Sequence, residues 1–231
     1  MPDQMETIDL ATAEVRDLNR RLQMRDGDNG ETRFHVLNPG GAHALAAGLT
    51  RPIDVTIDGH AGYYCAGMNQ EARVTINGNA GTGVAENMMS GIVRVGGDVS
   101  QSAGATAHGG LLIVEGDASA RCAISLKGAD VVVLGSIGHM AAFMAQAGRL
   151  VVLGNVGPDL GDSLYEAQIY VRGTVASLGA DCVEKELKPA HLSDLEALLA
   201  SAGVEANAGD FRRYGSARQL YNFNVDNAES Y

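Results

Sequence analysis

Histidine, cysteine, aspartate and glycine are the residues of this chain that could do chemistry, and their spacing decides whether they do. His60, His108 and His139 are far apart, and no HxH or HExxH pair is present to grip a metal. Cys65, Cys122 and Cys182 contain no CxxC pair, so neither zinc nor an iron–sulfur cluster is supported within the chain. The run Gly78-Asn79-Ala80-Gly81-Thr82-Gly83 has the glycines of a phosphate loop. No helix pattern follows it, however, to offer the N-terminus that would hold a phosphate. Spacing assigns no Ser–His–Asp or Cys–His grouping. We therefore expect no self-contained active site, and no catalytic, cofactor-binding or metal-ligating residue.

The elements that would position such residues are set by a glycine ladder. Gly59, Gly78, Gly97, Gly116, Gly135, Gly154 and Gly173 each follow the previous one by 19 residues. Two before each glycine stand Ile57, Ile76, Val95, Val114, Val133, Val152 and Val171, and four before it another apolar residue, from Val55 to Ile169. Seven in-phase copies make an internal repeat. Each unit reads apolar-x-apolar-x-Gly, which is the period of a strand. A strand this short cannot bury its face alone, so the copies must stack. The expected fold is a mainly β, right-handed, single-stranded parallel β-helix of about seven 19-residue coils, with helical extensions at both ends. A leucine-rich repeat would need leucine and asparagine columns, whereas these inward columns are mostly valine and isoleucine.

Further columns refine the coil. The glycine suits a corner that needs positive φ or the close passage of another backbone. Seven residues after it come only Ala or Gly (Ala66, Ala85, Gly104, Ala123, Ala142, Gly161 and Ala180), predicting a tight bend. One after it come His60, Asn79, Asp98, Asp117, Ser136, Asn155 and Thr174, of which Asn, Asp, Ser and Thr suit turns closed on local N–H groups. Asp98 and Asp117 would stack one coil apart, where like charges repel. A bound cation would relieve that, but turn closing is the simpler account.

Composition bounds the partners. A net charge of −11 argues against nucleic acid or an anionic membrane as the main partner. No apolar run reaches eighteen residues and the N-terminus is not signal-like, so a soluble, cytoplasmic protein is expected. Cys65 and Cys122 share a column three coils apart, roughly 14 Å, beyond disulfide reach. All three cysteines read as buried structural thiols.

Three segments result: 1–52, an N-terminal helix and capping segment; 53–180, the β-helix; and 181–231, a helical and aromatic tail. Residues 1–11 read as a loose leader. Thr12 is placed to cap a helix with Val15, Leu18 and Leu22 as its apolar face, ended by Gly27, and Gly27 to Gly30 reads as a turn. Arg33 to Leu49 is expected to form an irregular coil over the open end of the solenoid. Leu192, Leu195 and Leu199 give a short helix closed by Gly203. Between the strands lie Tyr63, Tyr64, Met68 and Asn69, then Asn87, Met88 and Met89, then His108, His139 and Met144. Methionines there fill core gaps or form a soft docking face. The tail holds Arg212, Arg213 and Tyr214 with Phe211, Tyr221, Phe223 and Tyr231, too much apolar surface to stay solvated. It should dock on this body or on a partner.

Several stretches resemble the GXGXG family, the β-helix that ends the large subunit of glutamate synthase and also occurs in a subunit of formylmethanofuran dehydrogenase. They include Val36-Leu37-Asn38-Pro39-Gly40-Gly41, Tyr63-Tyr64-Cys65-Ala66-Gly67-Met68-Asn69-Gln70, Glu86-Asn87-Met88-Met89-Ser90-Gly91 and Phe211-Arg212-Arg213-Tyr214-Gly215. The chain is most similar to the stand-alone β-helix subunit of N-methylglutamate synthase and its glutamate-synthase-like relatives. The resemblance implies two partner chains, an amidotransferase-like subunit and an FMN-binding synthase subunit with an iron–sulfur cluster. It implies that they carry the chemistry while this chain, binding no cofactor alone, holds them in register. The reaction implied converts methylamine and L-glutamate to N-methylglutamate and ammonia. A related complex using another amine, and a free-standing binding solenoid, are the alternatives.

Overall fold

The computed structural model describes residues 5–24 and 32–217 of the chain. The repeat folds as expected into a β-solenoid of about seven turns. Its strands are β1 (Met5–Asp9), β2 (Arg33–Leu37), β3 (Asp54–Asp58), β4 (Arg73–Ile76), β5 (Ile92–Val95), β6 (Leu111–Val114), β7 (Lys127–Val133), β8 (Ala147–Val152) and β9 (Gln168–Val171). Neighbours pair in parallel throughout, and the 19-residue offset is the register itself: Val55 faces Val74, Val74 faces Val93, and Val93 faces Leu112. The columns two and four before the glycine point inward and are buried along the whole stack.

The glycine ladder is set by close approach rather than by torsion. Only Gly59 has a positive φ, 134°. A Cβ on Gly154 would lie 2.5 Å from the carbonyl carbon and oxygen of Gly135, and one on Gly173 would lie 2.2 Å from the Gly154 oxygen. Positive φ belongs instead to three other columns, five, seven and nine residues on: Tyr64, Ala66 and Met68 in one coil, repeated in each through Asp159, Gly161 and Ser163. The middle column is the small one. From Ala66 to Gly161 it is left-handed and buried, so that a side chain larger than alanine would meet the core, while Ala180, last in the column, is exposed and not left-handed. The amides of these bends bond alternately to the coils ahead and behind, as Tyr64 N–H to Thr82 O (2.9 Å), Ala66 N–H to Leu45 O (2.9 Å) and Met68 N–H to Glu86 O (2.8 Å).

The polar column after the glycine closes no local turn. From His60 to Asn155 each side chain instead accepts from the backbone amide of the equivalent residue in the next coil: Asp117 N–H to Asp98 Oδ1 (2.8 Å), Ser136 N–H to Asp117 Oδ1 (2.7 Å), Thr174 N–H to Asn155 Oδ1 (3.0 Å). The stacked aspartates thus each hold an amide, which offsets their repulsion.

Both ends differ from the sequence reading. Residues 5–9 are not a loose leader but β1, paired in register with β2, and Arg33–Leu37 is a regular rung rather than an irregular coil. The open end is covered by α1 (Val15–Gln23), which lies in the connection between them. Its Leu18 and Leu22 are fully buried, and Asn19 and Gln23 donate from their amides to the Ala44 and Ala47 carbonyls, each at 2.7 Å. Thr12 does not cap it: its hydroxyl donates to Asp9 O, and Glu14 stands at the N-cap without a side-chain bond. The expected stop at Gly27 and the turn to Gly30 lie outside the described residues.

At the other end the sheet continues antiparallel. β11 (Arg212–Ser216) pairs with β9 on one side and with β10 (Cys182–Lys185) on the other. Helix α2 (Pro189–Ala202), ended by Gly203 at φ 69°, lies across the outer face of the late coils. There Ile113, Val132, Val151 and Tyr170 replace the Thr56 and Thr75 of the early coils, and Leu195, Leu198 and Phe211 pack against them. The sheet thus runs past 53–180 in both directions, and the tail docks on this body through Phe211 and Tyr214. Tyr221, Phe223 and Tyr231 lie outside the described residues.

The three cysteines are buried unpaired thiols. Burial pushes Cys65 and Cys122 up to about 12 and Cys182 up to about 11. The native protein is therefore expected to react with a thiol reagent at mildly alkaline pH only as fast as it unfolds. Rapid modification of any thiol without denaturant would contradict this packing.

Candidate functional site

The columns four, five, nine and eleven after the ladder glycine point away from the core and form the lateral face of the solenoid. In the first repeat they bring together Tyr63, Tyr64 and Met68, and the next adds Met89, all between 47% and 54% exposed. Their backbone is tied between coils, Met89 N–H donating to Asn69 O at 2.8 Å. The rings are fixed as well. Tyr63 stacks on His43 at 4.5 Å between centroids and 16° between planes. The Tyr63 amide donates to His43 Nδ1 at 2.9 Å, so the imidazole carries its proton on Nε2. On the other side each ring rests on a glycine. A Cβ on Gly81 would reach within 2.8 Å of the Tyr63 ring, and one on Gly83 within 2.7 Å of the Tyr64 ring. Of the three glycines with the look of a phosphate loop, Gly81 and Gly83 are seats for two tyrosines and Gly78 packs on Gly59.

The structure sorts the remaining contact residues. His108, His139 and Met144 are exposed on the same face, and Tyr165, which sequence reading missed, stands beside Met144. Asn87 is half-buried and accepts from the Thr106 hydroxyl at 2.6 Å. Asn69 and Met88 do not belong to the face: both are fully buried, because the column ten after the glycine points into the core. The Asn69 amide donates to the Ala72 and Ser90 carbonyls at 2.8 and 3.1 Å, while its Oδ1 has no partner. Asn69→Leu, which takes the side-chain donor from both carbonyls and leaves Ala72 O only the Ile92 amide at 3.1 Å, is expected to cost about 1–3 kcal/mol in urea unfolding. No loss would show that water replaces the amide.

Arg213 and Tyr214 are likewise not a surface, being 4% and 2% exposed, since β11 is inserted into the sheet. Arg212 stays exposed, donates to Gly173 O at 2.8 Å and lies 5.9 Å over the Tyr214 ring. Away from this face, on the uncovered outer side of the early strands, His35 Nε2 meets Asp58 Oδ2 at 2.5 Å and Asn77 donates to Asp58 Oδ1 at 2.6 Å. The Asn77 bond, then the His35 bond, holds the Asp58 carboxyl below its ordinary range. Among the described residues no three histidine, cysteine or carboxylate side chains are grouped to hold a metal, and no helix is long and apolar enough to cross a membrane.

No family model matches the sequence. Protein GlxC of Rhizobium meliloti (strain 1021) is similar along its length, 57% identical over 228 residues that cover 98% of this chain and 100% of GlxC. The chain belongs to the GlxC family. Because the match takes in all of GlxC, the end cap α1 and the covering helix α2 fall within the shared length. In this GlxC relative the lateral face exposes tyrosine rings and flexible thioethers.

Proposed function

We propose that this GlxC relative is the non-catalytic β-solenoid subunit of a cytoplasmic glutamate-synthase-like complex, N-methylglutamate synthase. In that reading an amidotransferase-like subunit and a synthase subunit with FMN and an iron–sulfur cluster carry out the reaction. Methylamine and L-glutamate become N-methylglutamate and ammonia, and this chain fixes the two catalytic subunits relative to one another.

The observation that carries the proposal is the seated, half-exposed Tyr63–Tyr64–Met68–Met89 face. The Tyr63 ring, held between His43 and Gly81, and the Tyr64 ring, seated on Gly83, lose little freedom on docking, which favours binding. The resemblance of nearly the whole chain to stand-alone GXGXG subunits supports this choice of complex.

Co-expression with and without this chain tests it. The three-subunit complex should release ammonia and form N-methylglutamate in equal amounts from methylamine and glutamate. Full activity from the other two subunits alone would overturn the scaffold role, and turnover of a different amine only would move the complex to another substrate.

A further inference from the structure

The apolar contacts of the lateral face come in two copies with the same layout. Tyr63, Tyr64, Met68 and Met89 occupy columns four, five, nine and eleven, in two successive coils. His139, Met140, Met144 and Tyr165 occupy the same columns 76 residues on, which is four repeats of 19. In both sets the side chains of columns nine and eleven are large and exposed, Met68 and Met89 at 54% and 47%, Met144 and Tyr165 at 39% and 38%. Four strand spacings set the patches about 19 Å apart along the stack.

The belt between them is chemically different. Its two central bends, 101–109 and 120–128, contain Arg121, Lys127 and His108, all exposed, and no carboxylate. In a chain of net charge −11 this is a local reversal of sign. Neither Arg121 nor Lys127 has an ion-pair partner among the described residues, whereas Arg21, Arg94 and Arg149 each hold a carboxylate at 2.7–2.8 Å.

We infer that the two patches and the belt form one continuous docking surface for a single partner subunit, which presents an acidic strip flanked by two apolar contacts about 19 Å apart. A second copy of this chain could match patch to patch in a two-fold arrangement, but that would lay the basic belt on itself. Like charges across an interface oppose such pairing and favour an acidic partner. The inference rests on the reading that this chain is a subunit of a larger complex, and it names which surface the partner uses.

The test measures affinity between the full chain and each co-purifying subunit over a series of salt concentrations. Three variants are used: Met68→Asp with Met89→Asp, Met144→Asp, and Arg121→Glu with Lys127→Glu. Thr75→Glu, on the outer strand face, serves as control, and unfolding curves confirm that every variant is folded. Either patch variant should weaken binding of the same subunit at least tenfold. The belt variant should weaken it and flatten the salt dependence, and the control should bind as wild type. If a complex forms but the patch variants bind normally, or the two patches affect different subunits, this inference fails while the subunit reading stands. If the chain is found only as a homodimer that Met144→Asp breaks, or captures no subunit at all, both fail.

Discussion

Gly154→Ala is expected to lower stability by about 3 kcal/mol, the upper end of the range for overpacking. For a chain of this size that corresponds to a fall in Tm of roughly 6–12 °C. The φ at Gly154 is an ordinary one, and the obstacle is the coil below. A Cβ would sit 2.5 Å from Gly135 C and O and 2.7 Å from the Ser136 nitrogen, all of them backbone atoms that cannot rotate away. Relief requires two coils to separate, which weakens the parallel pairing of β7 with β8. Gly104→Ala is the control. Gly104 has φ 67°, yet alanine occupies the equivalent left-handed position in both neighbouring coils, at Ala85 and Ala123. Its added Cβ would meet only side-chain methyls, Val131 Cγ2 at 3.1 Å and Leu112 Cδ2 at 3.3 Å. A cost within about 1 kcal/mol is expected there. Urea unfolding of the two variants decides the matter. The opposite order would mean that torsion, not inter-coil contact, keeps the ladder glycine.

Phe211→Ala should cost about 3–5 kcal/mol, the usual range for emptying a buried aromatic site. Phe211 is 3% exposed and packs with Tyr170, Val151, Leu198 and Ala202 in a core that lies outside the solenoid tube. Its loss should also loosen α2 and uncover the apolar outer side of β6 to β9, so the variant should bind a hydrophobic dye before the global transition. A loss below about 1 kcal/mol, with no early dye binding, would contradict the role given to this second core.

That second core shows where sequence reading stopped. The inward columns were legible because period two and period 19 coincide in them, from Val55 to Val171. The outward column changes character midway, Thr56 and Thr75 giving way to Ile113, Val132, Val151 and Tyr170. The uninterrupted runs Leu111-Leu112-Ile113-Val114 and Val131-Val132-Val133-Leu134 carry the signal of strands buried on both faces. That outward column lies between the two inward ones, and the period-two pattern of its neighbours carries no information about it.

The candidate face was half legible for a similar reason. Tyr63, Tyr64 and Met68 stand out by type, but type alone does not say which way a side chain points within the bend. Left-handed residues at alternate positions put columns six and seven both inward, as at Cys65 and Ala66, and this moves Asn69 and Met88 into the core. The αL conformation of Tyr64, Met68 and their equivalents was not readable, since most residues there are not glycine. β1 was missed because its pairing with β2 spans an inserted helix and lies off the 19-residue beat.

The measurement that most directly tests the account is gentle affinity purification of the tagged chain from its native cells, with subunit masses and a visible absorption scan of the eluate. Two further chains in fixed ratio are expected, one of them bringing a flavin spectrum. A lone, colourless protein, at low salt and with the tag at either end, would contradict it.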